Sequence, residues 1–361
     1  MTVLTTRALG RASLARQHLL HRADLSVLDA VAHLCGLQAQ EPREPFTGLW
    51  SRLAGFDPAE LDELLVGRQV VRTHLMRRTV HLLTAADTLA WRARHDAMLR
   101  QRVLGTYRKE LDGVDLAELA AAARAVLADG QPRSMPELAR AVGDRWPEPG
   151  VRPLGEVLVA ALLPMVQLPP RGTWRGKGGV RNALVADWLG REPDPLAADG
   201  DLVGQALVRR YLAAFGPATT ADLRAWSGIA GLPAAVKAVR EELVTFRDEQ
   251  GRELLDLPEA PRPDPDTPAP VRFLPAFDNA LLGYADRTRI VADEHRLLSV
   301  AGERVLLVDG LVSATWTVRE QTVHVTPLRT LTRAERAEVT EEGSALALFL
   351  TDKDSDRVTI E

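Results

Sequence analysis

Leu34-Cys35-Gly36-Leu37-Gln38-Ala39-Gln40-Glu41-Pro42 closes a helical run that begins at Leu25. Gly36 is a natural helix terminator, since glycine takes the left-handed backbone of a helix end without steric cost. Pro42 keeps the residue before it out of the helical region. Gln38 and Gln40 are therefore expected on extended backbone, where residues two apart point to one face. Two neutral carboxamides then share one space, each offering a carbonyl acceptor and two N–H donors. Glutamine is no general acid or base at neutral pH, yet it can hold and orient a water. Residue types alone favour a plainer role, in which the pair satisfies backbone groups of a loop.

Outward from this stretch the chain reads as helices followed by hairpins. Thr6 to Leu20, Ser26 to Leu34 and Ala59 to Val66 have helical spacing, with Asp24 or Ser26 and Asp57 as caps. Val70 to Leu83 is β-branched and apolar and suits two strands around Met76-Arg77-Arg78. Three helices and a two-stranded wing give a first module, residues 1–85. A second module, 86–200, holds helices at Leu116 to Leu127, Glu137 to Val142 and Pro153 to Leu163. Ser134-Met135-Pro136-Glu137 is a capping box for its middle helix. Its wing is expected from Val166 to Leu168 and Gly172 to Arg175, with a basic tip of Arg171, Trp174, Arg175 and Lys177.

Residues 201–258 repeat the pattern, with helices at Leu202 to Phe215, Ala221 to Trp226 and Leu232 to Arg240. Strands at Glu242 to Phe246 and Glu253 to Leu257 complete that module. A proline-rich linker, Pro258 to Pro270, opens a β-rich region, 259–361. Strands are expected there at Arg289 to Val291, Arg304 to Val308, Leu311 to Thr317 and Thr322 to Pro327, with Asp309-Gly310 as a tight turn. Thr332 to Glu342 reads as a final helix, and Ala345 to Thr351 as helix or strand.

Composition narrows the function classes. A chain of 361 residues, 46% hydrophobic, can bury a large core, and no apolar run reaches membrane-spanning length. The amino terminus lacks a signal-peptide layout, so a cytoplasmic protein is expected, and the lack of a coiled coil or long apolar seam points to a monomer. The single cysteine, Cys35, excludes an internal disulfide and a cysteine-cluster zinc site. His74 and His81 have no third ligand at suitable spacing, so neither a metal nor any other cofactor is expected. The Gly-rich run around Lys177 lacks the Ser or Thr of a phosphate loop. Net charge is −4, which argues against a general DNA-coating protein. The cations are nevertheless gathered. Residues 68–110 hold ten Arg and Lys, including Arg72, Arg77 and Arg78, against Asp87, Asp96 and Glu110, and Arg171, Arg175, Lys177 and Arg181 form an acid-free run. Local basic patches on an acidic whole suit selective contact with phosphates.

Gly36-Leu37-Gln38-Ala39-Gln40, followed by Arg72-Thr73-His74-Leu75-Met76-Arg77-Arg78-Thr79-Val80-His81-Leu82, resembles the AlkZ-like family of winged-helix DNA glycosylases. So do Leu274-Pro275-Ala276-Phe277-Asp278-Asn279, Gly283-Tyr284-Ala285-Asp286-Arg287, Val308-Asp309-Gly310 and Trp316, in order across nearly the whole chain. The resemblance implies an α+β fold of tandem winged-helix modules around a DNA-binding cleft, with a C-terminal β-rich region. It implies double-stranded DNA with alkylated purines as the partner, with no membrane and no obligate protein partner. Its catalytic signature falls on Gln38 and Gln40 in the two-glutamine form that is similar to resistance glycosylases of producers of DNA-alkylating antibiotics.

A purine alkylated at N7 already carries positive charge and departs neutral, so no strong general acid is needed. What remains is to place a water at the anomeric carbon and to stabilise developing charge with preorganised dipoles. Gln38 and Gln40 suit these two tasks in either order. Asp278 or Asp286 is the alternative base, and Asp278, Asn279 and Arg287 are candidates for the cleft. DNA contacts are expected from Arg72, Met76, Arg77, Arg78, Arg171, Trp174, Arg175, Lys177, Arg181, Asp309 and Gly310. The competing class is a winged-helix transcriptional regulator, disfavoured because the helices before the wings carry mostly Ala, Leu and Asp or Glu.

Overall fold

A computed structural model describes residues 2–230 and 232–361. The glutamine stretch lies at one edge of a five-stranded antiparallel sheet. Its strands are Leu37–Gln38 (β2), Val70–His74 (β3), Val80–Thr84 (β4), Met165–Gln167 (β5) and Asn182–Leu184 (β6), in the order β2-β4-β3-β5-β6. The expected boundary at residue 85 therefore falls between strands of one sheet, since Arg72 on β3 faces Gln167 on β5. The first strand, Val3–Leu4 (β1), runs parallel to Val244–Asp248 (β7), which pairs with Glu253–Asp256 (β8). The C-terminal sheet has the order β13-β12-β11-β10-β9 and is built from Arg272–Leu274 (β9), Val305–Val308 (β10), Leu311–Arg319 (β11), Thr322–Pro327 (β12) and Val358–Ile360 (β13).

Local chemistry accounts for the elements near the site. Helix Val27–His33 starts where the Ser26 side chain accepts from Asp29 N–H. It stops at Cys35 and Gly36, which take φ +56° and +83°. Any Cβ at Gly36 would lie 2.7 Å from the Leu82 carbonyl on β4, so the close approach of turn to sheet requires glycine. Helices Val27–His33, Glu44–Trp50 and Pro58–Val66 then close over the sheet with Val31, Phe46, Leu49, Leu61, Val70 and Leu82 in one apolar core. Helix Ala85–Thr106, capped by Thr84, spans from this sheet to a bundle of Leu116–Leu127, Met135–Gly143 and Val151–Val157. Helices Leu202–Phe215, Thr220–Ser227 and Leu232–Ala238 pack with β8 in a further core.

Buried ion pairs tie distant segments together. Arg16 of helix Thr6–Arg16 meets Asp256 of β8, and Arg52 meets Asp278, with all four side chains almost wholly excluded from solvent. Several expectations are corrected. The following strand that pairs with β5 is Asn182–Leu184 rather than Gly172 to Arg175, which lie in a loop. Pro153 to Leu163 divides into an α-helix ending at Val157 and a π-helical turn, Leu158–Leu162. Arg289 to Val291 is turn and bend, and Arg333–Leu350 is one continuous helix. Asp309-Gly310 does form the two-residue turn between β10 and β11, with φ +48° and +80°.

Candidate active site

The backbone of the glutamine stretch is fixed at nearly every residue. Gln38 pairs with His81 across β2 and β4, and Ala39 N–H donates to the Val80 carbonyl at 2.7 Å. The Ala39 carbonyl accepts from Arg72 Nη2 at 2.8 Å. Asn279 Nδ2 donates to the Leu34 and Gly36 carbonyls at 3.2 and 2.7 Å. Both carboxamides turn toward the β3–β4 connection. Gln38 Oε1 accepts from Arg77 Nη2 at 2.9 Å, and Gln40 Oε1 accepts from Val80 N–H at 3.3 Å. Each oxygen keeps a second lone pair and each side chain its two N–H donors.

Their surroundings differ. Gln38 is 8% exposed, and its partner Arg77 also donates to the Trp226 carbonyl at 2.6 Å. Burial, and then the charges of Arg287 and Arg102, lower the pKa of Arg77 to about 10. Gln40 is exposed and lines a cavity of about 460 Å³. Its walls are apolar at Val80, Met135, Val159 and Ala160 and polar at His74, Glu156, Gln167 and Asn182. The π-helical turn supplies Val159 and Ala160, an irregularity that often marks a functional wall. Gln167 and Asn182 face each other across β5 and β6, and Gln167 Oε1 and Asn182 Oδ1 are buried without a protein partner. These wall residues had no signal in the sequence, because strand pairing alone brings them beside Gln40.

His74 and His95 lie within electrostatic reach of His81, and all three are neutral imidazoles. Burial, with Arg77 next, holds His81 well below the ordinary range, and its Nδ1–H donates to the Thr79 carbonyl. Burial likewise lowers His74 and His95 to about 4. Among the described residues, no three His, Cys, Asp or Glu side chains gather to hold a metal.

The other expected site residues are dispersed. Arg72 and Met76 are 2% and 1% exposed, so burial removes them from the surface where DNA contact was expected. Arg78 is half-buried, with Glu156 at 3.7 Å. Arg171 is half-buried, and its Nε has no protein partner. The Trp174 ring packs between Phe46 and Phe349, with centroids at 5.0 and 4.9 Å, while its Nε1–H and the Arg175 guanidinium both meet Asp352. Arg181 is exposed beside Glu137, and Lys177 is exposed. Asp309 pairs with Arg7 and Arg11, and Gly310 abuts Leu14, so this turn docks on helix Thr6–Arg16. Asp278 is held by both nitrogens of Arg52 at 2.9 and 2.8 Å, and its carboxylate caps Ala280 N–H. Asp286 accepts from Thr288 and Arg252, which leaves it paired at the surface of another cavity. Arg287 is half-buried near Arg77.

This geometry belongs to a chain with clear relatives. An interstrand DNA cross-link repair glycosylase of Streptomyces sahachiroi is 28% identical over 364 residues, covering 92% of this chain and 93% of the relative. The solved structure of the Streptomyces sahachiroi DNA glycosylase AlkZ matches with a TM-score of 0.79 at 23% identity, over 100% of both chains. The family described as DNA glycosylase AlkZ-like matches residues 31–349, which include the glutamine stretch, the β3–β4 hairpin and Asn279. The chain therefore belongs to the AlkZ-like family and is a DNA glycosylase.

Proposed function

We propose that this glycosylase hydrolyses the N-glycosidic bond of N7-alkylated purines, including bulky adducts and interstrand crosslinks, with Gln38 and Gln40 placing the water and supporting the sugar cation. The observation that carries this reading is the pair of carboxamides, fixed on hydrogen-bonded backbone, with Gln40 at the rim of a cavity. Preorganisation of this kind lowers a barrier because the dipoles need no rearrangement when charge develops. An N7-alkylated purine already bears the positive charge that acid catalysis would supply, and neutral carboxamides accept such a ring without a buried counter-charge. Neutral His74 on the same wall adds no repulsion. None of the four lysines lines the cavity, which favours a monofunctional enzyme that leaves an abasic site over a lyase that needs an amine.

The helices and hairpins suit winged-helix modules at 1–85, 86–200 and 201–258, the first two sharing the five-stranded sheet, followed by 259–361. Of the expected DNA contacts, Arg78, Arg171, Arg175, Lys177 and Arg181 keep at least the partial exposure that phosphate contact needs, whereas Arg77 is committed to Gln38 and the Trp226 carbonyl. The test is incubation of a duplex carrying N7-methylguanine, with the free base and the strand followed separately. The reading expects free base and an intact, alkali-labile strand. Strand cleavage without alkali, or excision of some other alkylated base with N7-methylguanine untouched, would overturn it.

A further inference from the structure

We infer that Arg72 and Asn279 are positioning residues that aim the two glutamines, acting through the backbone on either side of them. The inference rests on the reading of Gln38 and Gln40 given above. Asn279 acts on the entering side. Its amide nitrogen bridges the carbonyls of Leu34 and Gly36, which bracket the left-handed turn at Cys35 and Gly36. Within the turn the Cys35 and Gly36 N–H groups donate to the Ala32 and Val31 carbonyls, and Asn279 holds the turn's own carbonyls from outside as Leu37 enters β2. Asn279 is itself aimed by its neighbour, because Asp278 caps the short helix Asn279–Leu282 and is locked to Arg52. A line of buried polar contacts thus runs from Arg52 through Asp278 and Asn279 to Gly36.

Arg72 acts on the leaving side. It donates to the carbonyl of Ala39, the residue between the two glutamines, at 2.8 Å. That contact is an unusual use of a buried cation. Arg72 is 2% exposed, no carboxylate bonds to it, and its Nε and Nη1 have no protein partner. Its neighbours are Gly172, where a Cβ would come within 2.5 Å of Arg72 Cδ, Arg171, a second cation that makes burial harder, and Glu41, whose charge acts the other way without a hydrogen bond to it. Burying a guanidinium with so little compensation costs stability, and a packed apolar side chain of similar volume would serve the sheet better. What an apolar side chain cannot do is hold the Ala39 carbonyl. With that carbonyl held by Arg72 and the Ala39 N–H held by Val80, the peptide planes on both sides of Ala39 are fixed, and the directions of Gln38 and Gln40 with them.

Errors of about 1 Å in the placement of reacting groups cost on the order of 100-fold in rate. The test compares wild type with Arg72→Met, Arg72→Lys and Asn279→Ala, alongside Gln40→Ala. Single-turnover base release at saturating N7-methylguanine duplex is measured separately from the Kd for the same DNA. Hydrogen exchange of the Ala39 amide reports the backbone directly. Arg72→Met and Asn279→Ala are expected to slow release by about 10- to 100-fold with Kd unchanged and Ala39 exchange accelerated. Arg72→Lys, which keeps one donor, is expected to recover part of the rate.

A weakened Kd with an unchanged saturated rate would make Arg72 a DNA contact and overturn the inference. A lowered melting temperature with normal rate and normal Ala39 exchange would make both residues merely structural and overturn it equally. If Gln40→Ala alone keeps the wild-type rate, the assignment of the glutamines fails, while faster Ala39 exchange in Arg72→Met would still uphold the backbone clamp.

Discussion

Asp278 is where a catalytic and a structural reading of the same carboxylate diverge most sharply. Both of its oxygens meet Arg52, at 2.9 and 2.8 Å, and the two side chains are 1% and 0% exposed. Removing one partner of such a pair leaves an uncompensated buried charge, at a cost of about 3–5 kcal/mol. Loss of the cap on Ala280 N–H adds about 1 kcal/mol. Asp278→Ala should therefore lose about 4–6 kcal/mol. Unfolding entropy near 2.1 cal/mol/K per residue gives ~0.8 kcal/mol per degree for a chain of this length, so the melting temperature should fall by roughly 5–8 °C.

The same reasoning predicts that Arg52→Met with Asp278→Leu recovers most of the loss, because no charge is then left buried. Asp278→Asn keeps an oxygen for Arg52 and for the cap, and should release base within about tenfold of the wild-type rate. Calorimetry and single-turnover assays of these variants give the answer. An Asp278→Asn protein with wild-type melting temperature but more than about 100-fold slower base release would make Asp278 the general base and refute the structural assignment.

Two further outcomes follow from the same structure. Gly36→Ala places a Cβ 2.5 Å from Leu83 Cδ2 and 2.7 Å from the Leu82 carbonyl at φ +83°, and should cost about 2–4 kcal/mol in urea unfolding. An unchanged urea midpoint would show that the turn yields. Acid should also destabilise the fold before carboxylates titrate. His95 and His74 have folded pKa values near 4, and burial holds that of His81 well below its ordinary value, so the unfolded chain binds more protons between pH 6.5 and 4. Stability is complete above pH 6.5 and falls through that window, by up to about 1.4 kcal/mol per pH unit for each histidine. Urea midpoints that stay level from pH 7 to pH 5 would contradict the burial of these rings as neutral groups.

Local signals were legible in the sequence because local chemistry produces them. Ser26 caps its helix, Ser134 and Glu137 form a capping box, Gly36 turns the chain and Asp309-Gly310 closes a hairpin, all through contacts within a few residues. Long-range packing decided the rest. Gly172 to Arg175 looked like half a wing, but Trp174 finds Phe46 and Phe349, and β5 pairs with Asn182–Leu184 instead. Thr332 to Glu342 and Ala345 to Thr351 read as separate segments, with Gly343 between them. Gly343 lies inside Arg333–Leu350 because the methyl groups of Val358 on β13 would sit 3.1 Å from any Cβ there. Arg72 and Arg77 read alike as cations of a basic patch. The first is committed to the Ala39 carbonyl and the second to Gln38, partners whose places depend on the folding of the whole sheet.

The role proposed for Gln38 and Gln40 is chemistry by two neutral carboxamides. It is tested most directly by single-turnover base release from an N7-methylguanine duplex, with Kd for the same duplex, for wild type, Gln38→Ala and Gln40→Ala. Both variants are expected to bind within about threefold of wild type and to release base at least ~100-fold more slowly. Release at the wild-type rate by either folded variant would contradict it.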